Sequence, residues 1–321
     1  MALPNFFLVG APKCGTTALA TYLRAHPQVF MCRPKEPHYF ALDFPAYRHV
    51  TQWADYASLF AEAGEAHRAI GEASVLYLYS RVAIAELHGK FPDARLLVML
   101  RNPVDMAISM HAQMLWTCDE NVADFDRAWA LCADRRAGNN VPRQCRDPKA
   151  LLYDRVPLLG DQLRRLLGIV PRAQVGWWFF DDLMADPGHV YREVLSFLGV
   201  PDDGRREFPR INTRKHARSR ILGLCTQKMP HRLSSAAMQL KHGLGIQRWG
   251  VLDALRRANV KSRPGNKMQP AMRNALQRHF ASDVHLLEDI TGRDLGHWLG
   301  SGHATRVGAA TPRVRDDAPV V

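Results

Sequence analysis

The chain has 321 residues, 47% of them hydrophobic and 23% charged, with a formal net charge of +12. That length accommodates one large α/β domain or two small ones, and the balance is ordinary for a globular protein. No run approaches the roughly 20 apolar residues of a membrane span, and the N-terminus has neither a basic n-region nor a small-residue cleavage site, so the expectation is a cytoplasmic protein. The six cysteines form no C-x-x-C pair, which argues against a structural zinc site; a Cys118–Cys145 or Cys132–Cys145 bridge would matter only in an exported protein.

In chain order, an apolar run predicts a first strand over 5–10. It breaks at a glycine-bounded turn, and a helix is expected over 16–25. Val29-Phe30-Met31 is a second short apolar run. The stretch 32–40 is a loop, because Pro34 and Pro37 exclude regular helix. Helical spacing is present at 51–64. Residues 69–74 read as a strand edge running into a turn, and 81–88 as a short helix. Residues 94–100 form an apolar run with one arginine, as in a strand buried on both faces. Helices are expected at 103–117, 123–136, 149–168 and 187–198, with a further core strand over 174–180. Residues 205–265 are basic and irregular, a plausible insertion. Residues 268–299 are mostly helical, and 300–321 look like a disordered tail. Strands alternating with helices predict a central parallel sheet flanked by helices, in one domain over 1–299.

The turn after the first strand carries the strongest signal. Gly10 and Gly15 match the G-x-x-x-x-G spacing of a P-loop, whose backbone N–H groups and helix dipole bind phosphate. The rest of the P-loop pattern is not present. A nucleotide triphosphatase has Lys-Ser or Lys-Thr after the second glycine, with the hydroxyl on magnesium. Here Lys13 precedes Gly15 by two residues, and Thr16-Thr17 come after it. The Lys13-Cys14-Gly15-Thr16-Thr17 segment resembles the 5′-phosphosulfate loop of sulfotransferases that use 3′-phosphoadenosine-5′-phosphosulfate (PAPS). Cys14 sits in an electropositive loop at a helix N-terminus, where a thiol pKa is expected to fall; filling a small-residue slot is its favoured role over nucleophilic catalysis.

The second signal lies over 96–109. An apolar strand ends at Arg101, Pro103 opens a helix, and Ser109 lies about two turns into it. A guanidinium and a hydroxyl so placed bind one phosphate from two sides. The segment resembles the family's 3′-phosphate motif, Arg-x-Pro-x-x-x-x-x-Ser. A kinase or NTPase, the alternative enzyme, wants a magnesium-organising aspartate at a neighbouring strand end, where this chain has Arg101.

Other stretches resemble the same family: Gly71-Glu72-Ala73-Ser74 with Tyr77, Asp181-Asp182-Leu183, Phe197-Leu198-Gly199-Val200, and Gly292-Arg293-Asp294-Leu295 with Trp298. The resemblance implies a P-loop-like sulfotransferase fold of the heparan-sulfate-type or bacterial carbohydrate branch. It implies PAPS as sulfuryl donor without a required metal, and a saccharide, glycolipid or other small-molecule alcohol as acceptor. Lys13 is then the candidate to stabilise the leaving phosphate oxygen. Lys35-Glu36-Pro37-His38-Tyr39-Phe40 fits the family's glutamate-base context, so Glu36 is the candidate base if a partly desolvated cleft raises its pKa, with Lys35 opposing that rise. His38 is the alternate base, and Glu72 a weaker candidate to position Lys13 or the acceptor. The family's late basic loop aligns with Lys267, and less well with Arg263.

Between Arg205 and Phe280 there are eighteen Lys and Arg against two acidic residues. A solvated basic face is the commonest explanation of such a bias, and a docking surface for an acidic acceptor or anionic membrane is the next. The aromatic interleaving of a nucleic-acid module is missing there. A non-catalytic module for nucleic acid or bisphosphate nucleotides remains a third reading.

Overall fold

A computed structural model describes residues 2–211 and 268–300, together with the backbone of 216–217 and 260–261. Five strands make the central sheet: β1 (Phe6–Gly10), β2 (Val29–Met31), β3 (Ala69–Ala73), β4 (Arg95–Leu100) and β5 (Val175–Phe179). Their order is β2-β3-β1-β4-β5, and every pairing is parallel. Phe6 lies opposite Gly71 of β3 on one side and Arg95 of β4 on the other. All of β1 and β3 is buried, as expected of a parallel sheet with helices on both faces.

The helices alternate with the strands: α1 (Thr16–Arg24), α2 (Trp53–Ser58), α3 (Ala83–Lys90), α4 (Pro103–Trp116), α5 (Phe125–Ala130), α6 (Cys132–Arg136), α7 (Leu159–Leu167), α8 (Phe180–Ala185) and α9 (Pro187–Leu198). A two-stranded antiparallel pair, β6 (His216–Ala217) with β7 (Val260–Lys261), precedes the long α10 (Pro270–Thr291). The chain passes from β1 to β2 on one side of the sheet, and β4 lies on the other side of β1. Reversals of this kind open a crevice at the strands' carboxyl ends, where ligands of α/β folds bind. The β1–α1 turn and the β4–α4 junction both stand there.

Several expectations are corrected. Residues 69–74 are not an edge: β3 lies between β2 and β1. The helix expected over 149–168 is a 3₁₀ turn at Pro148–Leu151 and then α7. Pro157 lies between them, and a proline there lacks the donor an interior turn needs. The helix expected over 51–64 stops at Ser58, and that over 123–136 breaks at Leu131 into α5 and α6. Cys14, Cys32, Cys118, Cys132 and Cys145 are free thiols. Among the described residues, no helix is long and apolar enough to cross a membrane. Lys267 and Arg263, most of the basic 205–265 stretch and the 301–321 tail lie outside the described residues.

Candidate active site

The β1–α1 turn takes left-handed backbone at Lys13 (φ 67°) and at Gly15 (φ 86°). Gly15 is the N-cap of α1 and brings no side-chain cap. The N–H groups of Thr16 and Thr17 therefore have no acceptor within the helix and present its positive end to the crevice, while that of Ala18 bonds back to the Gly15 carbonyl at 2.9 Å. A Cβ on Gly15 would stand 2.7 Å from Leu183 Cδ2 and 3.0 Å from Phe180 Cδ2. Glycine is thus required twice, by its φ and by the approach of α8. Successive left-handed turns of this type form a concave anion site.

Side chains from β4 and α4 close over this turn. Arg101, at the tip of β4, donates from Nη1 to the Lys13 carbonyl oxygen at 2.7 Å, and its Cζ lies 4.3 Å from the centre of the Phe180 ring. Lys13 Nζ donates to Gln113 Oε1 at 3.1 Å. Burial lowers the Lys13 pKa, and the Arg101 charge lowers it further, while Glu36 pulls the other way. Asn102 caps α4 by accepting from Val104 N at 3.0 Å, and Pro103 opens the helix. Ser109 is four residues before Gln113, and Met106 three before Ser109. Met106 Sδ lies 3.9 Å from Cys14 Sγ. The α4 face carrying Met106, Ser109 and Gln113 therefore lies against the turn, which brings Ser109 to the same side as Lys13 and Arg101.

Two expectations about proton affinity fail here. Burial pushes the Cys14 thiol up to about 12, outweighing the pull of Arg101 and Lys13. The thiol is fully buried, and its proton affinity is raised rather than lowered. Glu36 moves in the opposite direction from that expected. Burial raises its pKa, but the neighbouring His38 side chain and the charge of Lys35 outweigh it and hold the carboxyl at about 2. Lys35 Nζ pairs with Oε1, and His38 Nε2 lies 3.6 Å from Oε2. The Glu36 side chain remains 37% exposed, so it is an ionised acceptor open to the crevice. Its charge and that of Lys35 both act on the Lys13 ammonium.

Glu72 is not in the cleft, where it was expected as a positioning group. It is fully enclosed beneath the Glu36 loop, with Tyr56 and Ser74 as hydrogen-bond donors. Gln113 escaped notice in the sequence, although its i+4 spacing from Ser109 marks it as a neighbour. Among the described residues, no group of three or more His, Cys, Asp or Glu side chains is placed to hold a metal ion.

A family model described as "Sulfotransferase family" matches residues 4–204. The chain belongs to the sulfotransferase family. It is 37% identical over 304 residues to heparan sulfate glucosamine 3-O-sulfotransferase 6 of Homo sapiens, covering 91% of this chain and 73% of that protein. It is 34% identical over 119 residues to the membrane-associated sulfotransferase kil1 of Dictyostelium discoideum, covering 36% of this chain and only 24% of that one. Among solved structures, a sulfotransferase from Alicyclobacillus acidocaldarius superposes with a TM-score of 0.68 at 27% identity, over 93% of this chain and 99% of that one.

Proposed function

We propose that this sulfotransferase moves the sulfuryl group of PAPS to a hydroxyl of a saccharide, with Glu36 as base. The observation that carries the reading is convergence: Arg101 and Glu36, from two other strand ends, both act on Lys13 in the turn after β1. The relative named for glucosamine 3-O-sulfation supports a carbohydrate acceptor.

The turn suits a nucleotide's 5′ end. Its left-handed backbone and the uncapped N-terminus of α1 offer N–H donors from Gly15, Thr16 and Thr17. Cys14 leaves that backbone unobstructed. Arg101 and Ser109, on the β4–α4 junction, would hold the 3′-phosphate. Lys267 is a further candidate for that phosphate, from the family's late basic loop. PAPS supplies an activated sulfuryl group, whose transfer needs positioning and charge stabilisation more than bond-making by the protein. Lys13 holds a positive charge where the leaving phosphate oxygen develops its negative one, and Gln113 orients that ammonium. Glu36 is ionised at neutral pH and accepts the hydroxyl proton. An acceptor hydroxyl that displaces Lys35 from Glu36 raises its basicity at that moment. No metal has a role in these steps, because Lys13 and Arg101 carry the positive charge.

Labelled PAPS offered with a panel of glycans, glycolipids, phenols and steroids, with and without EDTA, tests the reading. Label should pass to a saccharide and be indifferent to EDTA. Lys13→Ala should lower kcat by about 10²–10³-fold. Glu36→Gln should abolish transfer while adenosine 3′,5′-bisphosphate still binds. Full turnover by Glu36→Gln removes Glu36 as base, and labelling confined to phenols or steroids removes the saccharide.

A further inference from the structure

Glu72 touches neither reactant in this mechanism, yet it is 0% exposed and bonded to the segment that carries Glu36. Ser74 Oγ donates to its Oε2 at 3.0 Å and Tyr56 Oη donates to its Oε1 at 3.3 Å, and the Tyr77 hydroxyl faces the same carboxylate and lowers its proton affinity. Two of these hydroxyls have a second duty. Ser74 Oγ accepts from the backbone N–H of His38 at 3.0 Å, and Tyr77 Oη accepts from that of Phe40 at 3.3 Å. A hydroxyl has one proton, so it serves a backbone N–H without loss only while its own proton has an acceptor. Glu72 is that acceptor for Ser74, and its carboxylate is the charged group that the Tyr77 hydroxyl faces. The loop also gives its Glu36 N–H to the Ala73 carbonyl at 3.0 Å.

These ties bear on a conformation that does not hold itself. Glu36 and His38 both have left-handed backbone, with φ of 66° and 53°. Side chains with a Cβ adopt it only where the surroundings enforce it. We propose that Glu72 is the positioning residue for the base: by drawing the protons of Ser74 and Tyr77, it fixes the backbone of His38 and Phe40, and thereby the aim of the Glu36 carboxylate. The proposal rests on the reading of Glu36 as the base.

The arrangement depends on ionisation. The groups facing Glu72 are the hydroxyls of Tyr56 on α2 and of Ser74 and Tyr77 beyond β3, with the Cys32 thiol farther off after β2; none of them is cationic. Burial accordingly pushes its carboxyl up to about 7. The carboxylate accepts from Ser74 and faces the Tyr77 hydroxyl. The carboxylic acid turns one of its oxygens into a donor, so a hydroxyl facing that oxygen must reorient its own proton, which weakens its hold on the backbone N–H it serves.

The full chain and its Glu72→Gln, Ser74→Ala and Tyr77→Phe variants test this by amide hydrogen exchange, with adenosine 3′,5′-bisphosphate binding as the check on the fold. Exchange over 36–40 should rise about tenfold in Glu72→Gln, with β4 amides unchanged and bisphosphate affinity preserved. Ser74→Ala should release His38 alone and Tyr77→Phe Phe40 alone, which serves if Glu72→Gln does not fold. Transfer from PAPS should lose about 10–100-fold in kcat with KM for PAPS unchanged. The wild-type acid limb near neutrality should be absent from Glu72→Gln. Unchanged exchange over 36–40 in these variants overturns the proposal. Full turnover by Glu36→Gln instead overturns the base assignment, and leaves the exchange result to decide what Glu72 holds.

Discussion

Two glutamates thirty-six residues apart show how far surroundings set an acid. Glu36 shares its carboxylate with Lys35 and His38 and is held at about 2; Glu72 meets only hydroxyls in a sealed site and rises to about 7. Their contributions to stability run in opposite directions with pH. The depressed Glu36 contributes stability that is present above its usual value near 4.5 and is lost as pH falls toward 2. The raised Glu72 contributes stability present below about 4.5 and lost as pH rises through 7. The wild type should therefore lose stability relative to Glu72→Gln between about pH 4.5 and 7 and hold a constant difference above it, as read from urea midpoints across that range. The residue type and motif position of Glu36 were legible in the sequence. Its proton affinity was not, because its burial and its contact with His38 are properties of the folded loop.

Among the elements, the β1–α1 turn is the one in which sequence and geometry agree most closely. A strand, a glycine-bounded turn and a helix start are all short-range features, decided within a dozen residues. Gly15 makes this testable. Gly15→Ala forces a Cβ into a left-handed position and against Leu183 and Phe180. Stability should fall by about 1–2 kcal/mol from the backbone alone, and bisphosphate affinity should fall with it. An alanine variant with wild-type melting and binding would show that neither the φ nor the contact matters. The α7 region failed for an opposite reason. Apolar spacing ran through Pro157 without a break, and the 3₁₀ turn at Pro148–Leu151 has no periodic signature. The α4 helix was legible from its spacing, but its inward face was not: Gln113 meets Lys13 because the face that carries Met106 lies toward Cys14.

Across the whole molecule, the C-terminal elements brace the crevice from behind. Asp283 of α10 accepts from the backbone N–H groups of Gly160 and Asp161 at 2.9 and 2.8 Å, capping α7 from another helix. Trp298 Nε1 donates to Asp181 at 3.0 Å, and Arg293 pairs with Asp182. Both aspartates lie on α8, whose Phe180 and Leu183 pack on Gly15. Asp283→Ala should cost about 1–2 kcal/mol by urea unfolding, since it strips two buried N–H groups of their acceptor, and should leave kcat unchanged. A fall in kcat at full stability would place α7 in the chemistry instead.

The amino-acid order by itself determined the alternation of strands and helices, the parallel sheet, and the place of the glycine-bounded turn and of the strand-to-helix junction at Arg101. These rest on local rules: period, glycine and proline placement, and the spacing of a cation from a helix start. Only the tertiary structure decided that the Cys14 thiol is buried and held protonated, that the Glu36 carboxyl is held well below its usual range, that Gln113 bonds to Lys13, and that Glu72 lies sealed beneath the Glu36 loop. Each of those depends on burial and on partners contributed by distant elements, and desolvation and charge coupling are set by what packs around a group rather than by its neighbours along the chain.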